Sequence, residues 1–127
     1  MICWESAFGD LAYAEVRSGA QVLVVATDDA WFGTTSGPYQ HAQIAQLRAI
    51  ESGTYVVRAA ATGISGIIAP DGTWQSQAPL EEQQVVFGSV GKPVGSLFAH
   101  VGPSRVWIGL ILIYLLVIFM PWRGRAL

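Results

Sequence analysis

Hydrophobic residues recur at helical spacing in two segments of the chain. The first predicted helix begins near Ala7 and ends before Gly19, which suits a helix C-terminus because glycine readily adopts a positive φ. The second begins at Pro38, which the first turn of a helix accepts, and ends at Gly53. The apolar face of the first helix contains Phe8, Leu11 and Ala12, and that of the second contains Ile44, Leu47 and Ile50.

Apolar runs around these helices predict strands. QVLVVA (residues 21–26) is a continuous run rich in β-branched residues, as expected of a strand covered on both faces. TYVVRAA and SGIIA predict two short strands, and TWQSQ predicts a hairpin arm after a proline–aspartate–glycine turn. QVVFGSV (residues 84–90) predicts the last strand, whereas the first is represented only by MIC. The pattern indicates a layered α/β fold whose first strand is incomplete.

The most apolar segment, VWIGLILIYLLVIFM, carries no charge. With its flanks it is about as long as the hydrocarbon core of a membrane requires, and tryptophans lie at both ends, where aromatic rings favour the headgroups. We therefore predict a transmembrane helix over residues 105–122; the alternative is a buried core helix. Arg123 and Arg125 outnumber Arg105 across this span, so we expect the C-terminus in the cytoplasm and the rest of the chain outside.

Composition narrows the possible functions. Hydrophobic residues make up 52% of the 127 residues and charged residues 13%, which is too apolar for a disordered chain. The net charge of −2 without a basic run argues against nucleic acid as a partner. One cysteine cannot form an internal disulfide, and His41 and His100 are too far apart in the sequence to form a metal-ligand motif with it.

Cys3 is the candidate for covalent chemistry. It lies where the first strand is expected to end and a helix to begin, which exposes a side chain at a sheet edge. The backbone N–H of Trp4 can face the same point as an oxyanion donor, and the helix N-terminus favours a thiolate. Glu5 would oppose a thiolate, so a cation is needed, yet no lysine or arginine lies near Cys3 in the sequence. The alternative interpretation is a small buried hydrophobic residue.

Four stretches carry a resemblance to a known family. In order, ICWESAF, VVATDDAWFG, GPYQHAQIAQLRAIESG and VVRAAATGISGIIAPDG resemble the C-terminal half of a carbon–nitrogen hydrolase (nitrilase) domain. DAWFG and GPYQHAQIAQLRA, with the apolar terminal segment, are similar to the apolipoprotein N-acyltransferases of that superfamily. The resemblance implies an α/β fold, the C-terminal half of a nitrilase-type αββα sandwich followed by one transmembrane helix. It divides the chain into a partial hydrolase domain (1–90), a linker (91–104), the helix (105–122) and a cytoplasmic tail (123–127).

The resemblance also implies a Glu–Lys–Cys mechanism. Cys3 matches the nucleophile, which forms a thioester with a phospholipid-derived acyl group and passes it to the α-amino group of a diacylglyceryl-cysteine lipoprotein. Glu5 matches a supporting glutamate, and Trp31 and Phe32 match apolar residues that contact the substrate. The resemblance implies no cofactor and no metal. It places the protein in the bacterial inner membrane, with the catalytic part on the periplasmic or outer side.

The general-base glutamate and the oxyanion-stabilising lysine of the family lie upstream of the matched motifs. We therefore expect this chain to be the C-terminal part of a larger enzyme and to be inactive by itself. Its expected partners are phospholipid, diacylated lipoprotein, membrane lipid and the N-terminal part of the same enzyme. Two other classes remain open: a membrane-tethered nitrilase-type amidase that passes the acyl group to water, and a non-catalytic remnant.

Overall fold

The computed structural model describes residues 1–120, in which helices alternate with the strands of one sheet. The helices are α1 (Gly9–Arg17), α2 (Gly37–Ser52), α3 (Leu97–Val101) and α4 (Pro103–Phe119), and the strands are β1 (Val22–Thr27), β2 (Tyr55–Ala60), β3 (Ser65–Ile68) and β4 (Trp74–Ala78). Short 3-10 helices, Cys3–Ala7 and Ala30–Phe32, precede α1 and follow β1. The predicted α/β class is confirmed.

The sheet has the strand order β1-β2-β3-β4. β1 and β2 are parallel, with Val24 opposite Val57, because α2 returns the chain to the same end of the sheet. β3 pairs antiparallel with both β2 and β4, as the predicted hairpin requires. Before α1, Ile2 forms a single parallel bridge to Ala26 beside β1, so the incomplete first strand is present as one contact.

A buried apolar core lies between the sheet and helices α1 and α2. This apolar core consists of Ala12, Leu23, Val25, Ala45, Ala49, Val56 and Ile68. Burial alternates along β1, and Val24, on the face opposite the core, is 54% exposed. Within residues 1–120 the helices that pack on β1 cover one face of the strand, so only part of the cover that its apolar pattern predicts is found there.

The buried face of α2 differs from the predicted one. Ile44 is half-buried, and Leu47 and Ile50 are 46% and 49% exposed. Ala45 and Ala49 are instead fully buried against the sheet. Small side chains let the helix approach the strands closely, so close packing places the alanines inside and the larger residues outside. The predicted start at a proline and the predicted end at a glycine with positive φ are both confirmed.

The C-terminal end of α2 is joined to the chain that precedes α4. The carbonyl of Gly53 accepts the N–H of Val94 at 2.9 Å, and the Ser96 hydroxyl donates to the carbonyl of Glu51. α3 packs against both α1 and α2. Residues 91–104, predicted as a linker, therefore contain a short helix that contacts the rest of the fold.

Residues 84–90 do not form the predicted last strand. Residues 79–96 contain no helix or strand, and Val85 and Phe87 are strongly exposed. A Cβ added at Gly88 would lie 2.7 Å from the Ile67 side chain, so this segment lies on the β3–β4 hairpin. A strand needs backbone hydrogen bonds to a neighbour, which an apolar pattern alone does not supply.

α4 contains most of the apolar terminal segment. Its large hydrophobic side chains from Val106 to Phe119 are exposed. Across residues 1–120, no helix combines the length and the apolar content needed to cross a membrane. The end of the predicted span and the predicted tail, with Arg123 and Arg125, lie outside the described residues.

Candidate active site around Cys3

Cys3 lies in a strained turn at the edge of the sheet. It directly follows the bridge between Ile2 and β1, and it is the first residue of the 3-10 helix that leads to α1. Its φ of +50° falls in the left-handed region, which costs a residue with a side chain about 1–2 kcal/mol. Such strain persists only where the surroundings impose it, and it is common at functional sites. The half-buried thiol is thus presented by a conformation that the neighbouring residues must hold.

Hydrogen bonds from three residues hold this turn. The Glu5 carboxylate accepts the backbone N–H of Ile2 at 2.6 Å, and the Glu5 N–H donates to the Ile2 carbonyl at 3.1 Å. The Ser6 hydroxyl lies 3.1 Å from the Cys3 carbonyl oxygen. The N–H of Trp4 meets no protein acceptor within residues 1–120. Glu5 therefore braces the backbone beside Cys3, while the next N–H along the chain is left available.

A cavity of about 310 Å³ opens beside Cys3. Its lining consists of Ile2, Cys3, Ala26, Thr27, Asp28, Ala30 and Trp31. Most of these side chains are apolar, and the Trp31 ring is 77% exposed. Two of the predicted site residues, Cys3 and Trp31, are thus brought together. Phe32 lies outside the lining and packs edge-on, with its ring centroid 6.3 Å from that of His41.

Behind the Cys3 turn lies a polar cluster formed by Ser6, Asp29, His41 and Arg58. Asp29 follows the end of β1, His41 lies near the start of α2, and Arg58 is in the middle of β2. His41 Nδ1 is 2.8 Å from Asp29 Oδ1, and Arg58 Nη2 donates to Asp29 Oδ2 at 2.6 Å. His41 Nε2 is 3.1 Å from Ser6 Oγ and 3.3 Å from the Cys3 carbonyl oxygen. A continuous chain of polar contacts therefore joins Arg58 to the backbone of Cys3.

The charges in the polar cluster are paired away from solvent. The side chains of Asp29 and Arg58 are fully buried, and Arg58 Nε also donates to the Ile64 carbonyl at 3.0 Å. Burial lowers the pKa of Arg58 below its usual value, and the charge and hydrogen bond of Asp29 oppose that shift only in part. Arg58 lies 55 residues from Cys3 in the sequence and reaches the Cys3 turn through Asp29 and His41.

The sequence interpretation did not include the polar cluster among the site residues. Arg58 offered a signal, because an arginine within the apolar run of a predicted strand must find an anion when it is buried. The identity of that anion is set by the fold, since Asp29 is 29 residues away in the chain. Asp28, the neighbouring carboxylate, is exposed and accepts the Ala30 N–H at 3.1 Å and the Thr62 hydroxyl at 2.9 Å.

Comparison with known proteins identifies the family to which this chain is similar. A sequence profile of the carbon-nitrogen hydrolases matches residues 1–94. The chain is 42% identical over 108 residues to apolipoprotein N-acyltransferase of Geobacter metallireducens, a match that covers 84% of this chain and 21% of the relative. It is 39% identical over 121 residues to the same enzyme of Rhodopseudomonas palustris, covering 92% of this chain and 22% of the relative.

Comparison of the fold with solved structures agrees with the sequence match. The chain superposes on the crystal structure of Nit3 of Saccharomyces cerevisiae, a member of branch 10 of the nitrilase superfamily, with a TM-score of 0.56. The two are 26% identical, and the match covers 65% of this chain and 33% of that one. The chain spans about a fifth of the length of the curated relatives it matches. Because the family profile matches residues 1–94 and the fold is similar to that of a nitrilase-superfamily member, the chain belongs to the carbon–nitrogen hydrolase family.

Proposed function

We propose that this chain carries the nucleophile of an apolipoprotein N-acyltransferase. In the first step the Cys3 thiolate attacks the ester carbonyl of a phospholipid, a thioester forms, and the lysophospholipid leaves and takes a proton. In the second step the α-amino group of a diacylglyceryl-cysteine lipoprotein attacks the thioester. An amide forms, the amine gives up a proton, and the Cys3 thiolate is released.

The observation that carries this proposal is the placement of Cys3. The only thiol of the chain is held in a left-handed turn and faces a largely apolar cavity together with Trp31. An acyl chain bound there would bury apolar surface on the exposed Trp31 ring, which water otherwise covers. The similarity to apolipoprotein N-acyltransferases supports an acyl group as the cargo of this thiol.

Two neighbours of Cys3 suit the proposed intermediates. The N–H of Trp4, which meets no protein acceptor among residues 1–120, can donate to the oxyanion that develops when the thiolate attacks the carbonyl. Glu5 supports the step indirectly, because its carboxylate holds the Ile2 backbone that leads into the turn. The general base and the lysine of the Glu–Lys–Cys mechanism would come from the further length that the relatives possess.

We place α4 in the lipid phase of a bacterial inner membrane. Its large hydrophobic side chains face outward, and apolar surface of this extent is stable only against another apolar surface. The catalytic part would then face the periplasm or exterior, since the arginines beyond α4 favour the cytoplasm.

In a full-length protein, a reporter fused after Leu127 should report cytoplasm and one inserted within residues 91–104 should report the exterior. The reverse pattern contradicts this orientation.

The acyl transfer is tested in a chimera in which this chain replaces the matching segment of the Geobacter metallireducens enzyme. The purified chimera is incubated with phospholipid and a diacylated lipopeptide, and mass spectrometry follows the protein and the peptide. We expect a Cys3 thioester and a triacylated product. Cys3→Ala should abolish both, and Cys3→Ser should lose most turnover because a hydroxyl is far harder to ionise than a thiol.

A displaced thiol serves as the matched control. Ser89→Cys in the Cys3→Ala background restores one thiol in an exposed segment away from the cavity, and it should not restore the thioester. Product formation in the Cys3→Ala chimera would contradict the role of Cys3. A Cys3 thioester that yields free fatty acid and no triacylated peptide would identify an amidase-type hydrolase instead.

A further inference from the structure

We propose that His41 is a positioning residue for Cys3: held by Asp29, it acts with Ser6 on the Cys3 carbonyl and maintains the left-handed turn that presents the thiol. This inference rests on the assignment of Cys3 as the nucleophile. It goes beyond that assignment because it names the group that fixes the nucleophile's backbone. The side chains of the polar cluster do not line the cavity, so they act on Cys3 through its backbone.

The contacts from Asp29 through His41 to Ser6 have the order of a Ser–His–Asp triad. The Asp29–His41 and His41–Ser6 distances are 2.8 and 3.1 Å, within the range of such relays. A nucleophile must meet its substrate, however, and Ser6 is fully buried. The relay therefore does not end on a reacting hydroxyl. It ends on the main chain, because Ser6 Oγ is also 3.1 Å from the Cys3 carbonyl oxygen.

The proton on His41 Nδ1 follows from its partner. The Asp29 carboxylate has no proton to give while Arg58 donates to its other oxygen, so Nδ1 carries the proton and donates it to Asp29. This bond fixes the plane of the imidazole ring. In the neutral ring Nε2 accepts the Ser6 hydroxyl, which also lies against the Cys3 carbonyl, whereas in the imidazolium Nε2 itself donates to that carbonyl. Trp4 and Phe32 pack their rings near the imidazole, with centroids 5.4 and 6.3 Å away, and restrict its movement.

The geometry also explains why this position needs a histidine. Each end of the ring has a separate task, with Asp29 at one nitrogen and the Cys3 turn at the other. Asparagine reaches only as far as the Nδ1 position, whereas glutamine extends to the Nε2 position and can donate there. His41→Asn and His41→Gln are thus a matched pair that separates contact with Asp29 from contact with the turn.

The test has two readouts, and the first uses the full 127-residue chain, isotope-labelled and in detergent micelles. NMR reports the protonation of His41 Nδ1 and the sign of φ at Cys3, through the strong intraresidue HN–Hα cross-peak of a left-handed residue. We expect a protonated Nδ1 and a positive φ in the wild type. His41→Asn and Ser6→Ala should lose the positive φ, His41→Gln should keep it, and Asp29→Asn should abolish the Nδ1 signature.

His100→Asn is the control, because His100 is exposed and its Nδ1 lies 2.7 Å from the Ser96 carbonyl oxygen, outside the polar cluster. It should leave both signals unchanged. A positive φ retained in His41→Asn overturns the proposal, as does a wild-type chain whose Cys3 shows the couplings of unfolded backbone. Thermal unfolding of each variant separates a local change at Cys3 from general loss of structure.

The second readout is acylation of Cys3 by p-nitrophenyl octanoate in the chimera described above, which supplies the upstream residues, followed by mass spectrometry and p-nitrophenol release. Displacement of the nucleophile should lower the acylation rate of His41→Asn about 100-fold at an unchanged half-saturating ester concentration. His41→Gln should retain most of the rate. Equal rates in all variants overturn the positioning role. If the wild type is not acylated at all, the proposed nucleophile fails, whereas the NMR result still decides whether His41 holds the turn.

Discussion

The apolar core and the polar cluster are buried to the same extent, yet they are held together by different forces. The apolar core gains free energy in proportion to the surface removed from water, and no single contact in it has a required direction. In the polar cluster, Asp29 receives donors from Arg58, His41 and Thr27, and each bond depends on one geometry. The apolar core accounts for the fold, and the polar cluster fixes atoms next to Cys3.

The helix α2 contributes to both regions. Ala45 and Ala49 belong to the apolar core, and His41, one turn earlier than Ala45, belongs to the polar cluster. The two regions therefore share a rigid element and differ only in chemistry. Substitutions of similar size in the two regions should consequently have unequal effects, which four measurements can examine.

The largest effect is expected for Asp29→Ala. It leaves the fully buried Arg58 without its anion, and removal of one partner of a buried ion pair costs about 3–5 kcal/mol. Asp28→Ala is the matched control, because this neighbouring carboxylate is exposed and its loss should cost about 1 kcal/mol or less. Urea unfolding followed by circular dichroism gives both values. Equal losses for the two substitutions would show that the cluster is not a special source of stability.

Gly63→Ala should have the next largest effect on stability. It fills space beside the polar cluster without removing a charge. A Cβ at Gly63 would collide with the Asp29 carboxylate, and such overpacking costs about 1–3 kcal/mol. Gly109→Ala in α4 is the control, since a Cβ there meets no atom within 4 Å. The thermal midpoint should fall for Gly63→Ala and stay constant or rise slightly for Gly109→Ala. An unchanged midpoint in the first variant would contradict the described packing.

A smaller loss is expected for Ile68→Val in the apolar core. Ile68 is fully buried, and deletion of one methyl group from such a site costs about 0.5–1.5 kcal/mol. The His41 and Cys3 NMR signals should be unaffected, because the core transmits no directional bond to the cluster. Loss of the His41 or Cys3 signals in Ile68→Val would mean that the two regions are not separable.

The smallest effect concerns the exposed turn between β3 and β4. The Thr73 hydroxyl and then the Thr73 N–H donate to Asp71 and lower the pKa of its carboxyl below the usual 3.8. The stability from this pair is therefore complete above pH 3.8 and is lost as the pH falls through the lowered pKa. Thr73→Val should raise the Asp71 pKa in an NMR titration. An identical titration curve in the variant would contradict the role of the hydroxyl.

The local signals in the sequence predicted most elements of the fold. The start and end of α2 followed from a proline and a glycine, and the β3–β4 hairpin from its turn, because these residues act on the adjacent backbone. The buried face of α2 and the fate of residues 84–90 depended on packing partners instead. Cys3 and Trp31 were found at one cavity, but the partnership of Asp29, His41 and Arg58 arises only when separate elements meet.

The continuity of α2 has a consequence for the angular relation between its two ends. The helix has 16 residues, so it is about 24 Å long, with His41 near one end and the attachment of α3 at the other. One residue inserted into it would advance everything beyond by about 100° around the axis, while changing the length by only about 1.5 Å. Helical phase, more than distance, thus relates the imidazole to α3. Changes in chain length are tolerated best in residues 81–84, which are exposed and contain no helix or strand.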